Sequence, residues 1–146
     1  MPACVELRVP NRREYVAIAR MAVAGVASRM SFDIEAIEDM KVAVSEACNN
    51  AIEHGCPERD ETQVTIVLRC ELSDDELVIT VSDPGEGFDP ATATRQRHGS
   101  QVLTERGLGM LLIESLMDDV SFSSRPGDGT EVRMVKRLRA KVVEER

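Results

Sequence analysis

The sequence contains no tryptophan, and aromatic residues make up only 3% of its 146 positions. The core must therefore be filled by aliphatic side chains. No apolar run approaches the roughly 18 residues that a membrane-spanning helix needs. The N-terminus also lacks a basic segment followed by an apolar one, which is the pattern of a secretory signal. These absences predict a cytoplasmic protein with no membrane association.

Basic stripes and metal-binding cysteine patterns are missing as well. The formal net charge is −8 and the pI is about 4.8. A protein that binds the phosphate backbone would present clustered Lys and Arg, so nucleic acid is not expected as a partner. The four cysteines form no Cys-x-x-Cys pair and lack zinc-ligand spacing. In a reducing compartment they are expected to be small, buried, free thiols: Cys4, Cys48, Cys56 and Cys70.

The composition that remains is that of an ordinary globular domain, with 42% hydrophobic and 30% charged residues. A chain of this length can bury a substantial core. We therefore expect one domain over residues 1–146, with no internal repeat. The charged segment from Lys136 to Arg146 is expected to fray, above all over residues 139–146.

Hydrophobic periodicity predicts a strand, two helices, two strands, an irregular segment, a helix and two strands. Asn11, with Glu14 in capping-box position, is expected to start the first helix, and Asp33 the second. The second helix should end at Gly55. Alternating residues then predict an antiparallel hairpin over residues 62–81. The order predicts an α+β, two-layer sandwich with the helices on one face of a mixed, mostly antiparallel sheet.

The second predicted helix carries a candidate cation site. At about 100° per residue its apolar side chains share one face, and Glu46 and Asn50 lie one turn apart on the opposite side. A carboxylate and a carboxamide are oxygen ligands of the kind Mg²⁺ prefers. From this helix alone, the alternative remains open that both residues belong to an ordinary solvated face.

Residues 89–106 show no core periodicity, and a segment of this length inside a small domain is typical of a functional lid. Basic residues are concentrated there, at Arg95, Arg97 and Arg106. In an acidic protein this concentration suits a polyanionic ligand. The lid is expected to be mobile without that ligand and ordered with it.

Two Gly-x-Gly pairs flank this segment. Gly85 and Gly87 follow Asp83 at the end of a strand, and Gly107 and Gly109 open the next helix. A helix N-terminus favours phosphate, and glycine permits close backbone approach. Each pair alone is weak evidence, but the ordered combination with the helix above is specific. No P-loop is present, so a nucleotide would have to bind by another route.

These stretches resemble the GHKL (Bergerat-fold) ATPase superfamily, which includes gyrase, histidine kinases and MutL. The segment from Glu46 to Gly55 resembles its N box, Asp83–Asp89 its first glycine box, and Gly107–Met110 its second. The run Gly109–Val120 is most similar to bacterial anti-sigma-factor serine kinases, which govern sporulation and general-stress sigma factors. The resemblance extends from about Glu6 to Leu138.

The resemblance implies ATP and Mg²⁺ as cofactors and a role for each matching residue. Glu46 would be the general base, and Asn50 would hold the metal. Asp83 would bind the adenine amino group with help from Thr130. Arg20 would contact protein partners. The remaining nucleotide-binding positions are Gly85, Gly87, Arg106, Gly107 and Gly109.

Two positions depart from the family pattern. Related kinases place their lid arginine one residue before Arg106, where this chain has Glu105. Val16 stands where a relative has a charged residue that contacts its partner. These departures bear on phosphotransfer rate and on sigma-factor specificity rather than on nucleotide binding.

The function implied by the resemblance is an ATP-dependent protein-serine kinase and anti-sigma factor. It would sequester a sigma factor and phosphorylate a serine on an anti-anti-sigma antagonist. Relatives form homodimers, and the N-terminal strand and first helix would be the interface. Two alternatives stay open: a non-catalytic ATP-binding switch that clamps a regulatory protein, and a structural domain without nucleotide.

Overall fold

Residues 3–54, 65–83, 105–125 and 129–139 are described by a computed structural model. They form five strands, three α-helices and one short 3-10 helix at Arg13–Tyr15. In chain order the other elements are β1 (Ala3–Pro10), α1 (Val16–Arg29), α2 (Ile34–His54), β2 (Thr65–Leu72), β3 (Glu76–Asp83), α3 (Glu105–Leu116), β4 (Asp119–Arg125) and β5 (Gly129–Arg137). None of these helices is long and apolar enough to span a membrane.

The strands form one sheet in the order β1-β2-β3-β5-β4. All four pairings among these strands are antiparallel. The predicted α+β class and the β2–β3 hairpin are therefore confirmed, and the sheet in this part of the chain is antiparallel rather than mixed. β5 follows β4 in the chain, yet it lies between β3 and β4 and pairs with both.

The core lies between the sheet and the helices. α2 packs against α1 on one side and against α3 on the other. Alternate residues of the strands point towards this helical layer, because successive side chains of a strand face opposite sides. Among the described residues, Phe32 is the only buried aromatic side chain, as the composition predicts. The largest fully buried side chains are Met40, Ile66, Leu68, Leu77, Ile79, Ile113 and Met134.

The two predicted helix starts have different outcomes. Asp33 caps α2 as expected, since its Oδ1 accepts the backbone N–H of Ala36 at 2.8 Å. The expectation for Asn11 is wrong. A turn closed by the Arg12 N–H and the Pro10 carbonyl at 2.8 Å leads into the 3-10 helix, and α1 begins only at Val16. Asn11 is buried instead of capping, and Glu14 pairs with Arg12 at 3.6 Å.

Two of the cysteines agree with the prediction. Cys48 and Cys70 are each 1% exposed, and burial raises the pKa of Cys48 to about 12 and that of Cys70 to about 11. Cys4 is exposed, contrary to expectation, because it lies on the outer face of the edge strand β1. Its Sγ accepts a hydrogen bond from the Arg69 guanidinium at 3.2 Å. Cys56 lies outside the described residues.

The start of the predicted frayed tail is held by specific contacts. Lys136 Nζ donates to the Leu116 carbonyl at 2.6 Å and approaches Asp39 at 3.5 Å. The Asp118 carboxylate accepts the Arg137 backbone N–H at 2.7 Å and the Arg139 guanidinium at 2.9 Å. Fraying is therefore wrong for residues 136–139, while residues 140–146 lie outside the described part of the chain.

These contacts shift the titration of Asp118. Burial acts to raise the pKa of this carboxyl, but the backbone N–H of Arg137 and the charges of Lys136 and Arg139 act against it. The net result is a pKa below the ordinary value. The stabilisation that this carboxylate contributes is therefore present at neutral pH and is lost only as the pH falls through its depressed pKa.

Replacing Lys136 with methionine should lower the free energy of unfolding by about 1.5–3 kcal/mol. The substitution keeps the aliphatic stem but leaves the Leu116 carbonyl, at the C-terminus of α3, without its cationic donor. Urea denaturation measures the effect. Lys41→Met is a matched control: among the described residues Lys41 pairs across one helical turn with the exposed Glu38, and the substitution should cost less than about 0.5 kcal/mol. Equal losses in the two variants would contradict this role.

Candidate functional site

The candidate site begins with the side of α2 that faces away from the core. Val44, Ala47 and Cys48 are buried against the sheet, whereas Glu46 and Asn50 are half-buried one turn apart. The amphipathic pattern therefore places a carboxylate and a carboxamide side by side, as predicted. The buried residues of α2 contain no charged or amide side chain, so these polar groups lie only on the outer side of the helix.

α3 passes close to both side chains at a glycine. A Cβ atom added to Gly109 would lie 3.1 Å from Glu46 Oε2 and 3.3 Å from Asn50 Nδ2. These separations are shorter than ordinary contacts with carbon, so a larger residue would displace the two polar groups. Gly109 therefore lets the backbone of α3 approach the carboxylate and the carboxamide.

α3 begins two residues earlier than predicted. Its first residue is Glu105, so Gly107 and Gly109 lie in the early turns of the helix rather than at its start. Glu105 and Arg106 consequently belong to the helix and not to the predicted lid. Both glycines are buried. The part of α3 that lies beside Glu46 and Asn50 is thus its second turn, at Gly109.

An open cleft of about 320 Å³ lies between α2 and α3. Its polar side is formed by α2 and its apolar side by two exposed leucines of α3. The lining residues are Glu46, Asn49, Asn50, Glu53, Leu108, Gly109 and Leu112. The cleft therefore offers two carboxylates and two carboxamides against one glycine backbone.

One polar atom of the cleft is buried without a hydrogen-bond partner among the described residues. Asn50 Nδ2 is shielded from solvent and makes no hydrogen bond there. Buried polar atoms are nearly always paired, so an orphan of this kind marks the place of a ligand or water. Since amide nitrogen and oxygen are interchangeable by a rotation, Asn50 can offer either atom to a bound group.

An ion pair involves one of the residues that line the cleft, Glu53. Arg13, in the 3-10 helix before α1, donates to the Glu53 carboxylate at 2.5 Å. Periodicity gave no indication of this contact, because the two residues are forty positions apart. It ties the start of the first helical segment to the last turn of α2, beside the candidate site.

A second group of predicted residues meets across three strands. Asp83 of β3 lies opposite Thr130 of β5, and Thr130 lies opposite Ser124 of β4. Asp83 is 7% exposed and Ser124 8%, and the hydroxyls of Ser124 and Thr130 are 3.2 Å apart. Ser124 was not among the residues predicted from the sequence. The sequence pattern that could have identified it is alternation in β4, which places the Ser124 hydroxyl on the same face as the apolar Val120 and Phe122.

Several predicted positions are not tested by this geometry. Gly85, Gly87, Arg95 and Arg97 lie outside the described residues, and for Arg106 the backbone alone is described. Arg20 lies exposed on α1, beside the exposed Ile18 and Met21, and does not line the cleft. Val16 is buried in the core with 8% exposure, so it offers no contact to a partner protein.

The donor set at Glu46 and Asn50 fits a hard cation. The described residues contain no group of three or more His, Cys, Asp or Glu side chains that could hold a metal by themselves. Mg²⁺ commonly takes only one or two protein oxygens and completes its shell with phosphate and water. Asn50, with its orphaned carboxamide, suits that partial coordination.

Comparisons with known proteins agree with this geometry. Residues 9–136 match a family model described as a histidine kinase-like ATPase domain. The chain is 39% identical to the serine-protein kinase RsbW of Bacillus subtilis, over 96% of this chain and 89% of that protein. It is 37% identical to RsbW of Listeria monocytogenes serotype 4b, over 97% and 91% of the respective chains.

The fold also matches a solved structure of the RsbU and RsbW domains of a Mycobacterium tuberculosis protein. The TM-score is 0.69 at 20% sequence identity. The match covers 93% of this chain and 32% of that one, so the chain spans about a third of the length of the solved protein. At this level of identity the comparison establishes a common fold.

Proposed function

The chain belongs to the histidine kinase-like ATPase family, and we propose that it is an ATP-dependent protein-serine kinase that also sequesters a sigma factor. The family match confirms the resemblance to the GHKL superfamily. The observation that carries the proposal is the cleft in which Glu46 and Asn50 face the α3 backbone at Gly109. Its supports are the relatives named serine-protein kinase at 37–39% identity.

In the proposed mechanism, ATP binds with its base at the Asp83–Thr130 end of the sheet and its phosphates at the cleft. Asn50 would hold Mg²⁺, which would supply positive charge to offset the negative charge of the phosphates. The Glu46 carboxylate accepts the proton of the attacking serine hydroxyl. Gly107 and Gly109 let the first turns of α3 approach the phosphates, and Arg106 adds a positive charge there. Gly85 and Gly87 are proposed to allow the backbone to pass against the base.

The proposed protein partners are an anti-anti-sigma antagonist, which supplies the serine, and a sigma factor. Arg20 is the proposed partner contact, and its support is exposure on α1 between Ile18 and Met21. We propose a homodimer through β1 and α1. That proposal is supported by the exposed apolar side chains of these elements, Val5, Ile18 and Met21. The phosphate donor implies a cytoplasmic location.

Incubation with labelled ATP, Mg²⁺ and candidate antagonist proteins tests the kinase proposal. Transfer of label to a serine of one antagonist is the expected result. If the protein binds ATP and then holds a partner protein, but no candidate becomes labelled, it is a nucleotide-dependent switch without phosphotransfer. If ATP does not bind at all, the assignment of the cleft is wrong.

Replacing Asp83 with asparagine should lower the affinities for ATP and for ADP by the same factor, because the lost contact is with the base that both nucleotides share. One charge-assisted hydrogen bond is worth about 1.5–3 kcal/mol. Calorimetry with both nucleotides measures the loss. Asp74→Asn, an exposed position in the β2–β3 turn, is the control and should bind normally. Unchanged ADP affinity in Asp83→Asn would rule out this end of the sheet as the base pocket.

A further inference from the structure

The ion pair between Arg13 and Glu53 has no part in the proposed function. Glu53 lines the cleft, and its carboxylate accepts a hydrogen bond from the Arg13 guanidinium at 2.5 Å. Arg13 belongs to the 3-10 helix before α1 and lies forty residues away in the chain. The pair therefore brings a positive charge from a distant segment to the edge of the cleft.

The residues of the cleft are themselves unfavourable for a phosphate group. Among the described residues, those that line the cleft include two carboxylates, Glu46 and Glu53, and no basic side chain. The proposed mechanism needs the negative charge of Glu46, because only an ionised carboxylate accepts a proton. It gives no task to Glu53. This second carboxylate repels a polyanion that binds beside it.

The position of Glu53 in α2 adds to this repulsion. α2 ends at His54, so Glu53 lies in the last turn of the helix. The C-terminus of a helix carries a partial negative charge, which reinforces that of the carboxylate. The Glu53 side chain is also only 24% exposed, and solvent ions screen a partly buried charge less than an exposed one. A cation beside Glu53 offsets both sources of negative charge.

The main chain positions Arg13 to supply that cation. After β1, the Arg12 N–H donates to the Pro10 carbonyl at 2.8 Å, and the Tyr15 N–H donates to the Arg12 carbonyl at 3.1 Å. These two hydrogen bonds close the turns on either side of Arg13. The pair itself contributes little to the stability of the fold, because the Arg13 side chain is 68% exposed. Its effect is therefore expected on ligand binding.

We infer that Arg13 is a positioning residue that holds Glu53, offsets its charge and thereby favours binding of ATP over ADP. The inference rests on the proposed function, since it assumes that the phosphates bind in this cleft. Without the Arg13 charge, the edge of the cleft is more negative by one unit. The resulting repulsion grows with the charge of the ligand, so it acts more strongly on ATP, which has one phosphate more than ADP.

The test measures the affinities for Mg·ATP and Mg·ADP by calorimetry at low salt and at about 1 M salt. Arg13→Gln should lower the affinity for ATP at least about three-fold at low salt, and the affinity for ADP by a smaller factor. Both losses should shrink at high salt, where the Debye length is only about 3 Å. Arg13→Lys keeps the charge and should retain the affinity for ATP.

Glu53→Gln provides a rescue. Alone it should not lower the affinity for ATP, and combined with Arg13→Gln it should restore the affinity of the unmodified protein. The double variant has the same net charge at this edge of the cleft as the unmodified protein. A pair that only ties the 3-10 helix to α2 would behave differently. Either single variant would then lower the affinities for both nucleotides at every salt concentration, and the double variant would not recover.

Arg8→Gln is the matched control. It also removes one arginine from an exposed ion pair, since Arg8 lies 3.1 Å from Glu6. Alternation along β1 places Arg8 on the outer face of the sheet with Cys4, away from the helices that form the cleft. The overall charge of the protein changes by the same amount as in Arg13→Gln. The affinities for ATP and ADP should nevertheless stay unchanged.

The outcomes distinguish the inference from the proposed function. The role of Arg13 is overturned if Arg13→Gln causes no loss, equal losses for ATP and ADP, or a loss that persists at high salt. It is also overturned if the double variant does not recover or if Arg8→Gln shows the same loss. In each of these cases, ATP binding by the unmodified protein still supports the nucleotide site. If the unmodified protein binds neither nucleotide, both the proposed function and the inference are wrong.

Discussion

Replacing Glu46 with glutamine is expected to leave ATP binding intact and to slow phosphotransfer to the antagonist serine by roughly 10²- to 10⁴-fold. Glutamine keeps the shape of the side chain and one oxygen, so the cleft and its contact with Gly109 are preserved. It cannot accept a proton from the attacking hydroxyl. Single-turnover phosphorylation at saturating ATP, together with calorimetry of ATP binding, measures the two effects separately.

The control is Asn50→Ala, which should fail in a different way. It removes the proposed metal ligand, so Mg·ATP affinity should fall first and phosphotransfer should fall as a consequence. If both residues only form a solvated helix face, neither substitution should change stability or binding by more than about 0.5 kcal/mol. A normal phosphotransfer rate in Glu46→Gln would show that the general-base assignment is wrong, even with the fold and cleft correct.

Gly109→Ala is expected to lower the affinity for nucleotide at least about ten-fold without destabilising the fold. Alanine is the better helix former, so the helix itself should gain up to about 1 kcal/mol. The added methyl group would lie 3.1 Å from Glu46 Oε2 and 3.4 Å from Asn50 Oδ1. Those side-chain ends would have to move, and they are the groups proposed to face the phosphates and the metal.

Gly25→Ala is a matched control for this prediction. Gly25 lies on the exposed side of α1, and a Cβ atom added there meets nothing within 4 Å. The substitution should therefore stabilise the protein by a similar amount and leave ATP affinity unchanged. Thermal unfolding and calorimetry on both variants compare stability with binding. If Gly109→Ala binds ATP as Gly25→Ala does, the close approach of α3 is not part of the nucleotide site.

The parts of the fold that were predictable from sequence are those with a local cause. The 3.6-residue period of α2 determines that Glu46 and Asn50 lie opposite the buried face. Asp33 caps α2 through a hydrogen bond within its first turn, so the four residues 33–36 contain the whole signal. Alternation along β2 and β3 likewise indicated a hairpin, because both strands bury alternate residues, with Val78 of β3 buried in addition.

The parts that were missed depend on contacts between distant residues. Asn11 is a residue type favoured at helix N-caps, but the turn after β1 buries it. Tertiary packing therefore outweighed the local preference. Lys136 looked like part of a charged tail, yet it reaches the carbonyl of Leu116 twenty residues earlier. Ser124 lies beside Thr130 because of the register between β4 and β5. Periodicity along one strand does not predict that register.

The place of β5 in the sheet has a consequence for how the protein is made. A ribosome releases β4 before β5, but β4 pairs with β5 and not with any earlier strand of the described sheet. Until β5 emerges, β3 has an open edge and Asp83 has no strand partner at Thr130. Domains fold as units once their elements are available during synthesis. The proposed base pocket at Asp83 and Thr130 therefore cannot be complete on a nascent chain that lacks β5, and a growing polypeptide cannot bind nucleotide there before this strand is in place.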